Sequence, residues 1–163
     1  MVPVISLVGR SNSGKTTYLE KLVAEMKHRG YRVAVIKHDV HGFEMDKPGK
    51  DTWRHAQAGA DVVCISSPQK MAMIKKVEQE LLLDQVLDYI DGVDIIFTEG
   101  YKRENKPKVE VFREAAGYEP LCAKEDLLAM VTDRHLYDDV PEFGLDDPAP
   151  LANFLEERVL KVP

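Results

Sequence analysis

Gly9, Arg10, Ser11, Asn12, Ser13, Gly14, Lys15 and Thr16 follow the pattern G-x-x-x-x-G-K-[ST], whose chemistry is the capture of a polyphosphate. The glycines let backbone N–H groups wrap around phosphate oxygens, and a helix beginning at the loop's end adds partial positive charge. Lys15 is suited to neutralising the β- and γ-phosphates, and the Thr16 hydroxyl to entering the shell of a Mg²⁺ ion. Together with Thr17, these residues form the expected nucleotide-binding set, with Lys15 also serving catalysis through its charge.

Such a loop works only between a strand and a helix, and the flanking residues supply both. Val4, Ile5, Leu7 and Val8 read as a buried strand, while Leu19, Leu22, Val23 and Met26 recur at helical spacing on one face. Gly30 can end that helix in the left-handed conformation, and Tyr31 to Ile36 resume as a strand. Farther along, Asp51 is placed to cap a helix through Ala58. Val62 to Ser66 and Lys70 to Val77 read as strands, and Glu78 to Ile90 as a helix with Leu82, Val86 and Tyr89 facing inward. Val93 to Thr98 is nearly all apolar, as expected of a central parallel strand buried on both faces. Lys108 to Arg113 and Leu127 to Thr132 add strands, and Pro148 to Leu160 a closing helix. This alternation predicts a three-layer α/β/α P-loop NTPase domain with a mainly parallel sheet, as one domain over residues 1–163.

Four carboxylates stand where such a domain would use them. Glu99 closes the apolar strand, a place where surface solubility does not explain an acid. It is a candidate Mg²⁺ ligand and catalytic residue that positions the attacking water, although P-loop enzymes commonly carry Asp there. Asp39 and Asp46 lie on the charged stretch from Lys37 to Gly49, which leaves the second strand at its C-terminal end, and either could supply a metal ligand. Asp133 follows the strand ending Val131-Thr132, where many GTP-binding proteins place the acid that reads guanine. The Asn-Lys-x-Asp string is absent, so guanine reading and loop capping both stay open. His38 and His41 have metal-like spacing but no evident set of partners for tetrahedral zinc. Lys47, Lys50, Arg54, Lys102, Arg103, Lys106 and Lys108 could hold a second anionic substrate or form a solvated charged face.

The 163 residues carry 22 Lys and Arg against 28 Asp and Glu, a net charge of −6 that opposes an extended nucleic-acid footprint. No apolar stretch reaches the roughly 18 residues of a membrane span and no secretory signal is visible, so a cytoplasmic protein is expected. Cys64 and Cys122 stand apart, giving no support for a disulfide framework or a thiolate zinc site.

A wider pattern joins the phosphate loop to Lys37-His38-Asp39 with His41, to the run Asp46-Lys47-Pro48-Gly49-Lys50-Asp51-Thr52 through Arg54 and Ala58-Gly59-Ala60, and to Thr98-Glu99-Gly100-Tyr101-Lys102. In these segments the chain resembles the molybdopterin-guanine dinucleotide biosynthesis protein B family. The resemblance spans most of the chain, and the Asp-Lys-Pro-Gly-Lys-Asp run is its most specific part. It implies a GTP-binding, weakly GTP-hydrolysing homodimer. Such a protein assists attachment of GMP to molybdopterin while a partner guanylyltransferase performs the transfer. An exposed strand edge over Lys70 to Val77 would suit a homodimer contact. The alternatives are a small P-loop kinase, for which only Arg103 and Arg113 could serve as lid arginines, and a nucleotide-switched metal-centre chaperone holding metal at His38, His41 and Cys64.

Overall fold

The computed structural model describes residues 2–161, which divide into two compact units: Asp39–Val86, and the remainder of the chain on either side. The expected single domain covers both units and extends to residues 1, 162 and 163, outside the described residues.

The larger unit contains β1 (Val4–Val8), α1 (Lys15–His28) and β2 (Val33–Lys37) before the break. After it come β5 (Ile95–Glu99), β6 (Lys108–Phe112), β7 (Leu127–Thr132), β8 (Glu142–Phe143) and α4 (Ala149–Leu155). Its six strands form one sheet in the order β2-β5-β1-β6-β7-β8, every neighbouring pair parallel. Helices flank this sheet, as expected for a P-loop NTPase-like α/β fold. Period-two alternation sends Ile5, Leu7, Ile95, Phe97, Val109, Val111, Ala129 and Val131 into one core with Leu19, Leu22 and Met26 of α1 and Leu151 and Leu155 of α4. Each fully buried aliphatic or aromatic side chain contributes roughly 1.5–3 kcal/mol, so this layer fastens both helices to the sheet. Around Phe112, Met130 and Val140 a second cluster collects Leu127, Leu136 and Tyr137.

Several boundaries differ from the sequence expectation for local reasons. Tyr31 does not begin β2, because its N–H closes α1 onto the Met26 carbonyl (3.1 Å), with Gly30 left-handed at φ 93°. The Arg32 N–H is then held by the Asp94 carboxylate (2.7 Å), so the ladder starts at Val33. The helix expected over Glu78 to Ile90 is α3 (Leu83–Leu87) alone. Gln85 turns back to accept the Leu82 N–H (2.9 Å), the back half of a capping box, and this starts the helix at Leu83. Leu83 is buried, whereas Leu82 and Tyr89, expected to face inward, are exposed. The two-residue strand β8 went unforeseen, and the helical C-terminal segment continues beyond α4 as a π-helical turn over Glu156–Leu160.

The smaller unit holds α2 (Asp51–Gln57), β3 (Val62–Ser67) and β4 (Lys70–Lys75). Asp51 is the first helical residue rather than the cap, a place where its charge still favours the helix dipole. β3 and β4 pair antiparallel from Val62↔Lys75 to Ser67↔Lys70. The pleat puts Val63, Ile65, Ala72 and Ile74 on one face, lining a hollow with Met45, Asp46 and Thr52. Val62, Cys64, Met71 and Met73 share the opposite face, and all four are exposed. Leu83 is the one buried side chain between Asp39 and Val86. Among the described residues, no helix is long and apolar enough to cross a membrane.

Candidate functional site

Because the sheet is wholly parallel, the C-terminal ends of its strands share one edge, and ligands of open α/β sheets bind beyond that edge where the strand order reverses. The chain leaves β1 toward the β2 side and leaves β6 toward the β7 side, so the reversal lies between β1 and β6. That edge carries the Gly9–Thr16 loop after β1, Glu99 at the end of β5, Arg113 after β6 and Asp133 after β7.

The loop's glycines are required by space as much as by backbone angle. At Gly9 (φ 154°) a Cβ would lie 2.5 Å from the Val111 carbonyl oxygen and 2.8 Å from Ser13 Oγ, so no side chain fits. Asn12 and Gly14 are left-handed at φ 63° and 86°, which turns the chain sharply into α1 at Lys15. The first intrahelical bond runs from the Tyr18 N–H to the Gly14 carbonyl (2.9 Å). The N–H groups of Lys15, Thr16 and Thr17 therefore stand in the open first turn, and no acidic residue in that turn opposes its positive end. Tyr18 lies buried beneath the loop, and burial, reinforced by the Asp147 charge, raises its phenol above the usual range.

Glu99 and Thr16 meet at this edge. The Thr16 hydroxyl donates to Glu99 Oε1 at 2.6 Å, and Glu99 is 8% exposed. The sheet fixes the carboxylate from both sides: Glu99 pairs in register with Leu7 of β1 and Lys37 of β2. The turn beyond it is fastened by the Gly100 N–H on the Leu7 carbonyl (3.3 Å) and the His38 N–H on the Glu99 carbonyl (3.0 Å). A hydroxyl and a carboxylate in direct contact beside a phosphate-binding loop form a hard, oxygen-only donor pair of the kind Mg²⁺ prefers.

Asp133 is committed locally through one oxygen, since Oδ1 accepts the Glu114 N–H at 2.9 Å and so caps the turn that follows β6. Arg134 pairs with Glu114 (3.1 Å) in the same place. Asp39 and Asp46 belong to the smaller unit, where each holds its own loop. Asp39 Oδ1 accepts the His41 N–H (2.9 Å), and Asp46 Oδ1 accepts the Lys47 N–H (2.8 Å) and the Thr52 hydroxyl (3.1 Å). Among the described residues, no group of three or more His, Cys, Asp and Glu is placed to hold a metal ion. Of the expected basic cluster, Lys108 is buried, with Asp126 4.0 Å away, while Lys102 and Arg103 are exposed.

Sequence reasoning gave no site role to Glu110 or Tyr118. The buried Glu110 carboxylate accepts the backbone N–H groups of Leu121 and Cys122, pinning the segment after β6. Tyr118 lies within that segment and faces the Arg10 guanidinium at 6.0 Å. An acid in the middle of an apolar strand was the available signal for Glu110; Tyr118 had none.

A family model described as molybdopterin guanine dinucleotide synthesis protein B matches residues 4–133. The chain is 35% identical over 167 residues to the molybdopterin-guanine dinucleotide biosynthesis adapter protein of Escherichia coli (strain K12), an overlap of 99% of this chain and 95% of that protein. It is 33% identical over 157 residues to the protein of the same description from Haemophilus influenzae, with 95% and 88% covered. Among solved structures, a crystal structure of molybdopterin-guanine biosynthesis protein B matches with a TM-score of 0.71 at 29% identity, over 94% of this chain and 98% of that one.

Proposed function

Since this chain belongs to the molybdopterin guanine dinucleotide synthesis protein B family, we propose that it is a GTP-binding adapter with weak Mg²⁺-dependent GTPase activity. In this reading it assists a molybdenum cofactor guanylyltransferase in converting molybdopterin to its guanine dinucleotide form in the cytoplasm. The observation that carries the nucleotide part is the 2.6 Å contact between Thr16 of the phosphate loop and Glu99 at the neighbouring strand end.

The loop's open N–H groups and Lys15 hold the phosphate chain, with Gly9, Arg10, Ser11, Asn12, Ser13, Gly14, Thr16 and Thr17 completing the contact surface. Mg²⁺, when bound, would supply charge neutralisation to the phosphates. Thr16 and Glu99 would hold it, and Glu99 would also orient the attacking water. Thr16 and Glu99, in direct contact, are the pair on which the metal reading rests; Asp39 and Asp46, each engaged through one oxygen in its own loop, keep the second oxygen for a ligand role. Asp133, from the strand end beyond β6, reads the guanine. Hydrolysis is slow, about 10⁻⁴ to 10⁻² per second, as for P-loop GTPases working without an added arginine. The protein acts as a homodimer through the exposed Val62, Cys64, Met71 and Met73 face of the β3–β4 hairpin, and both units serve one nucleotide-binding molecule.

Lys15→Ala tests the core of this reading, because it removes the phosphate-neutralising charge while leaving the loop backbone intact. Affinity for GTP should be lost at an unchanged melting temperature. A folded variant with wild-type affinity would refute the site. The adapter role is tested by adding the protein to a guanylyltransferase supplied with labelled GTP and molybdopterin, where dinucleotide yield should rise for wild type and not for Lys15→Ala.

A further inference from the structure

The strand order places β6 directly beside β1, and Arg113 is the first residue beyond β6, at the point where the sheet's connections diverge. Its guanidinium lies against the phosphate loop: the position a Cβ would occupy on Gly14 is 3.5 Å from Nη2 and 3.8 Å from Nε. These are ordinary van der Waals distances, so the guanidinium rests on the loop at Gly14, where it is the positive φ of 86° rather than lack of space that favours glycine. Among the described residues, no carboxylate comes within ion-pair distance of Arg113, although Arg134, in the turn after β7, is paired with Glu114. A second observation points the same way. Ser13 Oγ is buried, with Ser13 only 2% exposed, and has no hydrogen-bond partner among the described residues; it lines the same hollow as Arg10 and Arg113. An unpaired guanidinium, a second arginine and a buried unpartnered hydroxyl converge on one small space bordered by the loop. Arg10 and Arg113 are exposed, and Glu110, which lines the same hollow, is engaged by the Leu121 and Cys122 N–H groups; the two guanidiniums and the buried Ser13 hydroxyl, whose missing partner is costly, are therefore placed to donate to an anionic oxygen.

Resting on the nucleotide reading above, the geometry points to Arg113 as a phosphate-binding residue that contacts the α/β segment of the bound nucleotide. The loop backbone around Gly14 cradles that segment, while Lys15 reaches toward the β- and γ-phosphates. One backbone bond and one side-chain cap hold the turn that carries this side chain. The Arg113 carbonyl accepts the Ala116 N–H (3.0 Å), and Asp133 caps the adjacent Glu114 N–H (2.9 Å). Arg113 therefore contributes to holding the nucleotide whether or not the γ-phosphate is present.

The test measures equilibrium binding of fluorescent GTP and GDP analogues to the full chain, for wild type, Arg113→Ala, Arg113→Gln, Arg113→Lys and the remote exposed charge control Arg158→Ala. Arg113→Ala and Arg113→Gln should weaken both nucleotides about tenfold. The salt dependence of their binding should be shallower than that of wild type. Arg113→Lys, which keeps the charge but lacks the planar fork, should recover only part of the loss, and Arg158→Ala should match wild type. Arg113→Gln, of similar reach, decides the matter if Arg113→Ala does not fold. Wild-type affinity in the Arg113 variants overturns this assignment alone, since Lys15→Ala would still lose binding. A loss confined to GTP also overturns it, because the guanidinium would then face the γ-phosphate. Failure of wild type to bind either nucleotide instead overturns the reading on which the assignment rests.

Discussion

Replacing Glu99 by Gln separates the metal-binding reading from a purely structural one, because the two side chains are nearly the same size and differ chiefly in charge. In the folded protein the Thr16 hydroxyl donates to Glu99 Oε1 at 2.6 Å, within a residue that is 8% exposed. A hydrogen bond to a charged partner contributes about 1.5–3 kcal/mol and one between neutral groups about 0.5–1.5 kcal/mol. A carboxamide oxygen can still accept from Thr16, so the nucleotide-free variant should lose only about 1 kcal/mol. Relief of a buried charge offsets part of even that. The effect on Mg²⁺ is of another size, since a neutral amide oxygen replaces an anionic ligand.

Perturbing the surroundings of a metal ligand commonly costs ten- to a hundredfold in affinity or activity, so exchange of the ligand itself should raise the Mg²⁺ concentration for half-maximal hydrolysis by at least about tenfold. Turnover at saturating GTP and Mg²⁺ should fall by about tenfold or more, whereas GTP affinity, held mainly by the loop N–H groups and Lys15, should change by about threefold or less. The assay is phosphate release as a Mg²⁺ titration at fixed saturating GTP, with melting temperatures recorded on the same samples. A variant with wild-type turnover and Mg²⁺ dependence would show that Glu99 only ties β5 to α1. Thr16→Val in the Glu99→Gln background completes a double-mutant cycle. Strong non-additivity in the Mg²⁺ dependence is expected if both oxygens serve one ion.

Asp133→Asn keeps a side-chain oxygen able to accept the Glu114 N–H, so the cap survives while base recognition changes. GTP affinity should drop roughly tenfold to a hundredfold with a matching gain for XTP, and an unchanged preference in parallel titrations would leave Asp133 as a cap alone. The Asp94 carboxyl is lowered to about 2, chiefly by its hydrogen bonds from the Arg32 side chain and N–H. Its stabilising contribution is thus fully present above the ordinary aspartate range of about 4 and is lost as pH falls through about 2. Asp94→Asn should lower the melting temperature near neutrality and converge with wild type toward pH 2; a constant gap across that window would contradict the assignment. Light scattering should report a dimer at micromolar concentration that Met71→Lys with Met73→Lys dissociates, and a wild-type monomer would count against the hairpin contact.

How much of this was legible in the sequence depended on whether chemistry or topology dictated the residue. The loop could be read directly, because only glycine fits at Gly9 against the Val111 carbonyl and glycine is favoured at the left-handed Gly14 before α1. Glu99 stood out for a related reason: an acid closing an all-buried strand contradicts its own pattern, and the Thr16 hydroxyl is the partner that the fold gives it. Where the pattern was ambiguous, reading failed. Three consecutive leucines, Leu81, Leu82 and Leu83, carry no helical period, and only the back-turned Gln85 reveals which of them begins α3. The hairpin's two apolar faces likewise gave no direction for burial, since alternation identifies an inner face only when the other is polar. Arg113 marks a different limit. In sequence it stood out only as a possible lid arginine of the kinase alternative, a cation after a short strand. Its significance comes from β6 lying next to β1, a relation between distant segments that no local spacing encodes. Composition and motif thus supply the loop on which the proposed phosphate site rests, and strand order decides which otherwise ordinary residue lies beside it. The neighbours of β1 at the reversal point are consequently where further residues that touch nucleotide are to be sought.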